Sequence, residues 1–213
     1  MKEIKCVACG NLSKFVFLSH DLNHKLYDYY ECQECKTIFC LDVPDENSSL
    51  GAWADERVVS NNERVDRVKQ LVGGTATILD FGCGLGYLLS DLRKAGYDAE
   101  GYDKNHPDLN KFPCKEFDLI IMVEVIEHLA EPFTEIGMIA NALKYGGYLI
   151  VESSFRWLDM PIAEIKYWHY IDPGGGHRSI LSIEGLGLVC NRYGLMLCHS
   201  FNKNVWVFRK VKK

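Results

Sequence analysis

The chain has 213 residues, 47% hydrophobic and 25% charged, the make-up of a soluble globular protein with room for one ordinary domain and a small module. Its 24 basic and 29 acidic residues give a formal net charge of -5, which argues against a nucleic-acid partner. No run of about 18 apolar residues exists, so no membrane span is expected. The N-terminal MKEIKCVACG lacks the apolar core of a signal peptide, so a cytoplasmic location is expected.

Nine cysteines are an odd number for a disulfide framework, and in a reducing compartment they point to thiols or a metal site. Cys6-Val7-Ala8-Cys9 and Cys32-Gln33-Glu34-Cys35 form two C-x-x-C knuckles. A spacing of two residues lets both thiolates of a knuckle reach one ion, and two knuckles complete the tetrahedral set that structural zinc prefers. Gly10 suits the turn after the first knuckle. Cys40 is a less natural fifth candidate, and His20 and His24, spaced as helix neighbours, read as surface residues beside four thiols. FVFLSH between the knuckles suggests one or two strands. The aromatic residues around the second knuckle can seat this ribbon on a neighbouring domain. Its five lysines and seven acids up to Asp45 offer no phosphate-binding face.

The organisation expected is a four-cysteine zinc-ribbon module over residues 1–45, a linker and helix over 46–74, and a main domain over 75–213. VPDENSSLG is turn-rich. The next segment carries Val58, Val65, Val68, Leu71 and Val72 at helical spacing and stops at Gly73-Gly74. TATILDFG then reads as a strand, LGYLLSDLRKAG as a helix and YDAEGYD as a second strand. FDLIIMVEV is the continuous apolar run of a buried parallel strand. EPFTEIGMIANALKYGG reads as an amphipathic helix with a glycine stop, YLIVESS as a strand and SIEGLGLVCNRYG as a last helix. LMLCHSF and NVWVFRK form an antiparallel terminal pair. This alternation predicts an α/β fold, a Rossmann-like doubly wound sheet with ligands beyond the carboxyl ends of its strands.

In ILDFGCGLGY an apolar run ends in Asp80 and is followed by Gly82, Gly84 and Gly86, a G-x-G-x-G loop. A dinucleotide fingerprint needs its third glycine at position 87, where Tyr87 stands, and the Gly-Lys-Ser/Thr of a phosphate loop is absent. Together with EGYDKN, FDLIIMVEVIEHLAEP and GGYLIVESS, in this order and spacing, the loop resembles class I S-adenosylmethionine-dependent methyltransferases. GGGHRSILSIEGL resembles the G-H-x-x-x-x-S-x-x-x-L segment of one large branch, whose members often carry an N-terminal four-cysteine ribbon. The resemblance implies S-adenosyl-L-methionine as cofactor, with Gly82, Gly84 and Gly86 letting the backbone approach it. It also implies Asp80 orienting the loop or facing the methionine ammonium, and Asp103 accepting from the ribose diol. Most members place a helix and strand after this aspartate. Here KNHPDLNKFPCKE is too short for both, which leaves Phe112 and its neighbours as candidate adenine cover.

Glu124, Glu127 and His128 follow the apolar strand, where the resemblance puts the transferred methyl. Glu-x-x-Glu-His also resembles the metal motif of some small-RNA 2′-O-methyltransferases and ubiquinone-pathway O-methyltransferases, which implies Mg²⁺ at Glu124, Glu127 and His128, with His169 or His177 as a further ligand. The alternatives are His128 as general base, or a helix cap and pocket wall. The expected catalytic residues are Glu124, His128 and His177, the last in a mobile loop after Gly174–Gly176, with Glu124 also beside the cofactor. FRWLDMPIAEIKYWHYIDP reads as a lid or as packing. The function expected is methyl transfer to a small-molecule acceptor, a sugar or other biosynthetic intermediate. The competing readings are an RNA or protein methyltransferase whose ribbon docks the polymer, and a cofactor-binding protein without transferase activity.

Overall fold

The computed structural model of the protein describes residues 3–43 and 54–212, the latter without the side chains of 54–60. Residues 46–53 of the expected linker lie outside the described residues. In chain order the elements are β1 (Ile4–Lys5), β2 (Leu12–His20), β3 (Leu26–Cys32), β4 (Ile38–Cys40), α1 (Ala54–Leu71), β5 (Thr77–Phe81), α2 (Tyr87–Lys94), β6 (Asp98–Tyr102), β7 (Phe117–Val123), a 3₁₀ turn (Ile126–His128), α3 (Pro132–Ala142), β8 (Leu143–Glu152), α4 (Ile162–Ile165), β9 (Ser179–Ile180), α5 (Ile183–Arg192), β10 (Leu195–Asn202) and β11 (Val205–Lys210). Among the described residues no helix is long and apolar enough to cross a membrane.

The described residues fall into two compact units whose chain segments interleave. One holds residues 54–125, 138–152 and 194–212. Its six-stranded sheet runs β10-β11-β8-β7-β5-β6. β6, β5, β7 and β8 are parallel, while β11 and β10 add an antiparallel edge. Leu119, Ile120, Ile121 and Met122 of β7 are all buried, as a central parallel strand demands. Val65 and Val68 of α1 and Leu88, Leu89 and Leu92 of α2 belong to the same apolar core as Ile78, Leu119 and Ile150. Strand order reverses beside β5, since β6 lies on one side and β7 on the other. That makes the carboxyl end of β5 a switch point, where ligands of open α/β sheets bind.

Two local expectations change here. The helix expected to run to Gly146-Gly147 ends at Ala142, and β8 begins at Leu143. Leu143 pairs with Phe117 and Tyr148 with Leu119, so β8 bulges between them, with Gly146 at φ 83° in the turn. The segment after Asp103 forms turns, with neither helix nor strand before Phe117.

The other unit holds residues 3–43, 126–137 and 153–193. Its sheet runs β1-β2-β3-β4-β9, all antiparallel. Phe17, Tyr27, Tyr29 and Ile38 share a core with Ile165, Tyr170, Ile171 and Ile180. His20 and His24 are not helix neighbours: His20 ends β2, and His24 sits in the hairpin turn at φ 62°. Both are exposed.

β4 pairs with β9 through Ile38–Ile180 and Phe39–Ser179. The Cys40 N–H donates to the Arg178 carbonyl at 2.8 Å. Ser182 caps α5 by accepting from the Gly185 N–H at 2.9 Å, and its hydroxyl donates to the Cys35 carbonyl. A side chain at Gly185 would come within 2.4 Å of Thr37 Oγ1, so only glycine lets α5 approach the second knuckle this closely. Arg156 and Glu31 form a buried ion pair at 3.1 Å. The ribbon is therefore part of a larger folded unit.

Candidate active site

The glycine loop hangs on its neighbouring strand. The Gly82 and Cys83 N–H groups both donate to the Tyr102 carbonyl, at 2.6 and 3.1 Å. Gly82 has φ +78°, and a Cβ there would lie 2.3 Å from Val125 Cγ2. Gly84 (φ 50°) donates its N–H to Asp103 Oδ2 at 3.0 Å, and Gly86 (φ 77°) caps α2. Asp103 Oδ1 accepts from the Asn105 N–H at 2.8 Å. The Asp103 carboxylate thus ties the glycine loop to the turn that follows β6, and each of its oxygens has further acceptor capacity.

Asp80 is only 3% exposed. Burial pushes its carboxyl up to about 7, against the opposing charge of Arg64 and a hydrogen bond from the Leu89 N–H. Its Oδ2 has no hydrogen-bond partner. Phe112 lies edge-on to Tyr102, ring centres 5.3 Å apart, and 6.2 Å from Phe81. Glu124 takes φ 52°, uncommon for a residue with a side chain, and donates its N–H to the Glu152 carbonyl at 2.9 Å. Its side chain is exposed.

A second group forms in the unit that carries the ribbon. Glu127, His128 and His177 offer ligand atoms within 4.8 Å of one another, and neither Glu124 nor His169 is in this group. Glu127 is 1% exposed, and its carboxylate accepts from the hydroxyls of Ser153, at 3.0 Å, and Tyr170. The Arg178 N–H donates to the Glu127 carbonyl at 2.8 Å. His128 Nδ1 lies 3.1 Å from the Gly176 carbonyl and His177 Nδ1 lies 2.9 Å from the Tyr170 carbonyl. A carbonyl only accepts, so each Nδ1 carries the proton. In the neutral rings the lone pair then sits on Nε2. The rings meet edge to face at 4.8 Å.

The thiols of Cys6, Cys9, Cys32 and Cys35 likewise gather within 4.8 Å. Sulfur–sulfur distances are 3.6 Å for Cys6–Cys35 and 3.4 Å for Cys9–Cys32. The Ala8 N–H donates to Cys6 Sγ and the Cys35 N–H to Cys32 Sγ, both at 3.4 Å. The hydrogen bond with Cys6, the largest cause, holds the Cys35 thiol down at about 5. Cys40, buried in the core, is not in the group.

Four polar residues at these sites escape a reading of the sequence: Arg64, Glu152, Ser153 and Tyr170. Glu152 had a signal, since an acid closes or follows each parallel strand: Asp80 near the end of β5, Asp103 after β6, Glu124 after β7 and Glu152 ending β8. Arg64 had one too, a charge on the stripe of α1 that buries Val65 and Val68.

A family model described as "Methyltransferase domain" matches residues 52–200. The chain belongs to this methyltransferase family. A curated relative, "Ubiquinone biosynthesis O-methyltransferase" of Hydrogenovibrio crunogenus, is 27% identical over 140 residues, covering 53% of this chain and 55% of the relative. The chain thus spans about half the length of that relative. Among solved structures it resembles an O-methyltransferase family protein from Burkholderia thailandensis, with TM-score 0.57, 17% identity and coverage of 76% of this chain and 60% of that one. It also resembles the magnesium protoporphyrin IX methyltransferase from Synechocystis PCC 6803 with bound SAH, with TM-score 0.55, 16% identity and coverage of 79% and 90%. These likenesses bear on fold, and the methyltransferase sheet is the class I arrangement described above.

Proposed function

We propose that this methyltransferase binds S-adenosyl-L-methionine on the Gly82–Gly86 loop and methylates a hydroxyl group of a small-molecule acceptor. The observation that carries this reading is the loop itself. It stands at the switch point with a glycine that no Cβ can replace, Asp103 tied to Gly84, and an orphaned acceptor on Asp80. These features fit a cofactor with a cationic ammonium, a diol and no phosphate. When bound, S-adenosylmethionine supplies an electrophilic methyl on a sulfonium, whose departure leaves a neutral thioether. The protein's task is to align the acceptor and take its proton.

By its own chemistry the Glu127–His128–His177 group can accept a proton. Ser153 and Tyr170 hold the Glu127 carboxylate, and His128 and His177 each turn Nδ1 to a backbone carbonyl. Two imidazole nitrogens with one carboxylate are a poor match for magnesium, which prefers an octahedron of oxygens. No step here runs through that ion. The oxygen acceptor is suggested by the printed name of the curated relative. The absence of a basic stripe in the sequence favours a small molecule over a polymer.

The four cysteines hold a structural zinc in this reading. Zinc–sulfur bonds of about 2.3 Å put tetrahedral sulfurs about 3.8 Å apart. The Cys6–Cys35 pair at 3.6 Å needs little adjustment, and N–H donors already face two of the sulfurs. Four thiolates leave no open position, so the zinc braces and does not catalyse.

Calorimetric titration of the zinc-replete protein tests the cofactor. Saturable one-to-one binding of S-adenosylmethionine is expected, with none of NAD. Binding of NAD alone, or of neither, overturns the reading. Labelled-methyl transfer to a panel of phenols and sugars, with RNA and protein arms, then locates the acceptor.

A further inference from the structure

Glu127 and His128 sit on the 3₁₀ turn after β7, and His177 sits on the turn before β9. The bond from the Arg178 N–H to the Glu127 carbonyl, 2.8 Å, holds these two turns side by side. One ligand atom from each of the three side chains falls within 4.8 Å of the others. Bonds of about 2.0–2.2 Å to one ion would space such atoms roughly 3.0–3.5 Å apart. The group is thus between about 1 and 2 Å from metal-binding geometry, within reach of side-chain rotation.

The surroundings of the group match those of a metal centre. A metal-bound imidazole keeps one N–H, which almost always donates to a carbonyl or a carboxylate. Both rings meet that condition: His128 Nδ1 faces the Gly176 carbonyl at 3.1 Å, and His177 Nδ1 faces the Tyr170 carbonyl at 2.9 Å. Coordination then falls to Nε2 of each ring. A ligating carboxylate is in turn hydrogen-bonded. Glu127 takes the Ser153 hydroxyl on Oε2 and the Tyr170 hydroxyl on Oε1, and those two hydroxyls lie 2.9 Å apart. Tyr170 therefore steadies two of the three residues, one with its hydroxyl and one with its carbonyl. A general base needs one imidazole; here two imidazoles converge with a carboxylate that is only 1% exposed.

The donor set decides the ion. Magnesium prefers oxygens in an octahedron, and two of these three donors are nitrogen. Two imidazoles with one carboxylate match zinc in open sites and iron(II) in facial triads. We propose that Glu127, His128 and His177 bind one divalent ion of the zinc class through three protein ligands, leaving coordination positions open for water or an acceptor oxygen. An ion so held lowers the pKa of an oxygen bound to it. Ser153 and Tyr170 act as positioning residues for the ligands. The site is separate from the cofactor and ribbon readings, since it uses no residue of the glycine loop and none of the four clustered cysteines.

Metal counting on the full-length protein tests this. Chains dialysed against zinc and then freed of loose ions should carry two zinc ions in the wild type, and one in His177→Ala and in Glu127→Gln. Magnesium offered in place of zinc should not be retained. In cobalt(II)-loaded protein, His177→Ala should lose the absorption of a nitrogen–oxygen site and keep the thiolate-to-cobalt band. Tyr170→Phe keeps all three ligands and should weaken the second ion by about 10- to 100-fold, with a shifted cobalt spectrum. It carries the test where a ligand variant fails to fold, and unchanged zinc affinity in it overturns the inference. A second zinc that survives both ligand substitutions, or magnesium retained as well as zinc, also overturns it. A single zinc in the wild type overturns the inference if that ion survives Glu127→Gln; if that ion is lost with Glu127, the inference stands and the ribbon reading falls.

Discussion

Asp80 has lost its water without gaining a full set of partners. Burial raises its carboxyl to about 7 from an ordinary value of 3.8, against Arg64 and the Leu89 N–H, with the Asp103 charge adding to the rise. Between about pH 4 and 7 the folded chain therefore holds a proton that the unfolded chain has released, so this group's contribution to stability falls as pH rises across that window. An ammonium beside Asp80 needs the ionised form. Affinity for S-adenosylmethionine should thus rise with pH, by up to about tenfold per unit below 7, and binding should release a proton there. Titrations between about pH 6 and 8 in buffers of different ionisation enthalpy measure both, and Asp80→Asn should flatten the profile. A flat wild-type profile would show that Asp80 is ionised before the cofactor arrives. At this scale the sequence was legible wherever a role depends on near neighbours. Asp80, Gly82, Gly84 and Gly86 lie within one turn, and their order alone announces a loop. Arg64 reaches Glu152 across 88 residues of chain, and Glu127 reaches Tyr170 across 43, so no local pattern joins them.

Among the elements, α5 shows how a spaced motif translates into contacts. In the G-H-x-x-x-x-S-x-x-x-L segment, His177 joins the Glu127 group and the intervening residues form β9. Ser182 caps the helix and holds the Cys35 carbonyl, and Leu186 is fully buried. Gly185 sits in the first turn of that helix. Alanine there would gain roughly 0.5–1 kcal/mol of helix propensity. Its methyl would collide with Thr37 Oγ1 at 2.4 Å, and overpacking costs about 1–3 kcal/mol. Thr37 is wholly buried and cannot swing away, so the collision should decide the sign. Gly185→Ala is expected to lower stability by about 1–2 kcal/mol in urea unfolding, and Thr37→Ala/Gly185→Ala to recover most of it relative to Thr37→Ala. No loss in the single variant would mean that the helix slides freely on the knuckle. Element types were readable because β5, β7 and β8 are long apolar runs and the cysteine spacing is short. The start of β8 was not, because Leu143 and Tyr145 fit a helix as well as a strand, and only pairing with Phe117 decides between them.

At the level of the whole molecule, the cysteine group and the Glu127 group belong to one folded unit. The Arg178 backbone links them, donating to Glu127 and accepting from Cys40, each at 2.8 Å. Stripping the proposed zinc should therefore loosen more than the knuckles. After chelation, hydrogen exchange is expected to quicken at Cys40 and Arg178, while Leu119 in the central parallel strand keeps its protection. Chelation that frees the Gly10 region but leaves Arg178 protected would show that β9 stands without the metal. The serial order of ribbon, linker and main domain that the sequence suggests says nothing of this sharing, because β9 is two residues long and carries no pattern of its own.

The same interleaving bears on how the chain is born. Ser182, which holds the Cys35 carbonyl, follows Cys35 by 147 residues. At ribosomal speeds of about 5–20 residues per second, the finished ribbon waits on the order of ten seconds for its companion strand. Throughout that interval β4 offers an open edge, the kind of surface on which nascent chains stick to one another. β8 has a shorter wait of the same sort, since its neighbour β11 begins only at Val205. Under the zinc reading proposed above, early capture of the metal by the knuckles would keep the ribbon folded through the delay, and zinc supply during translation would then bear on yield as much as on stability.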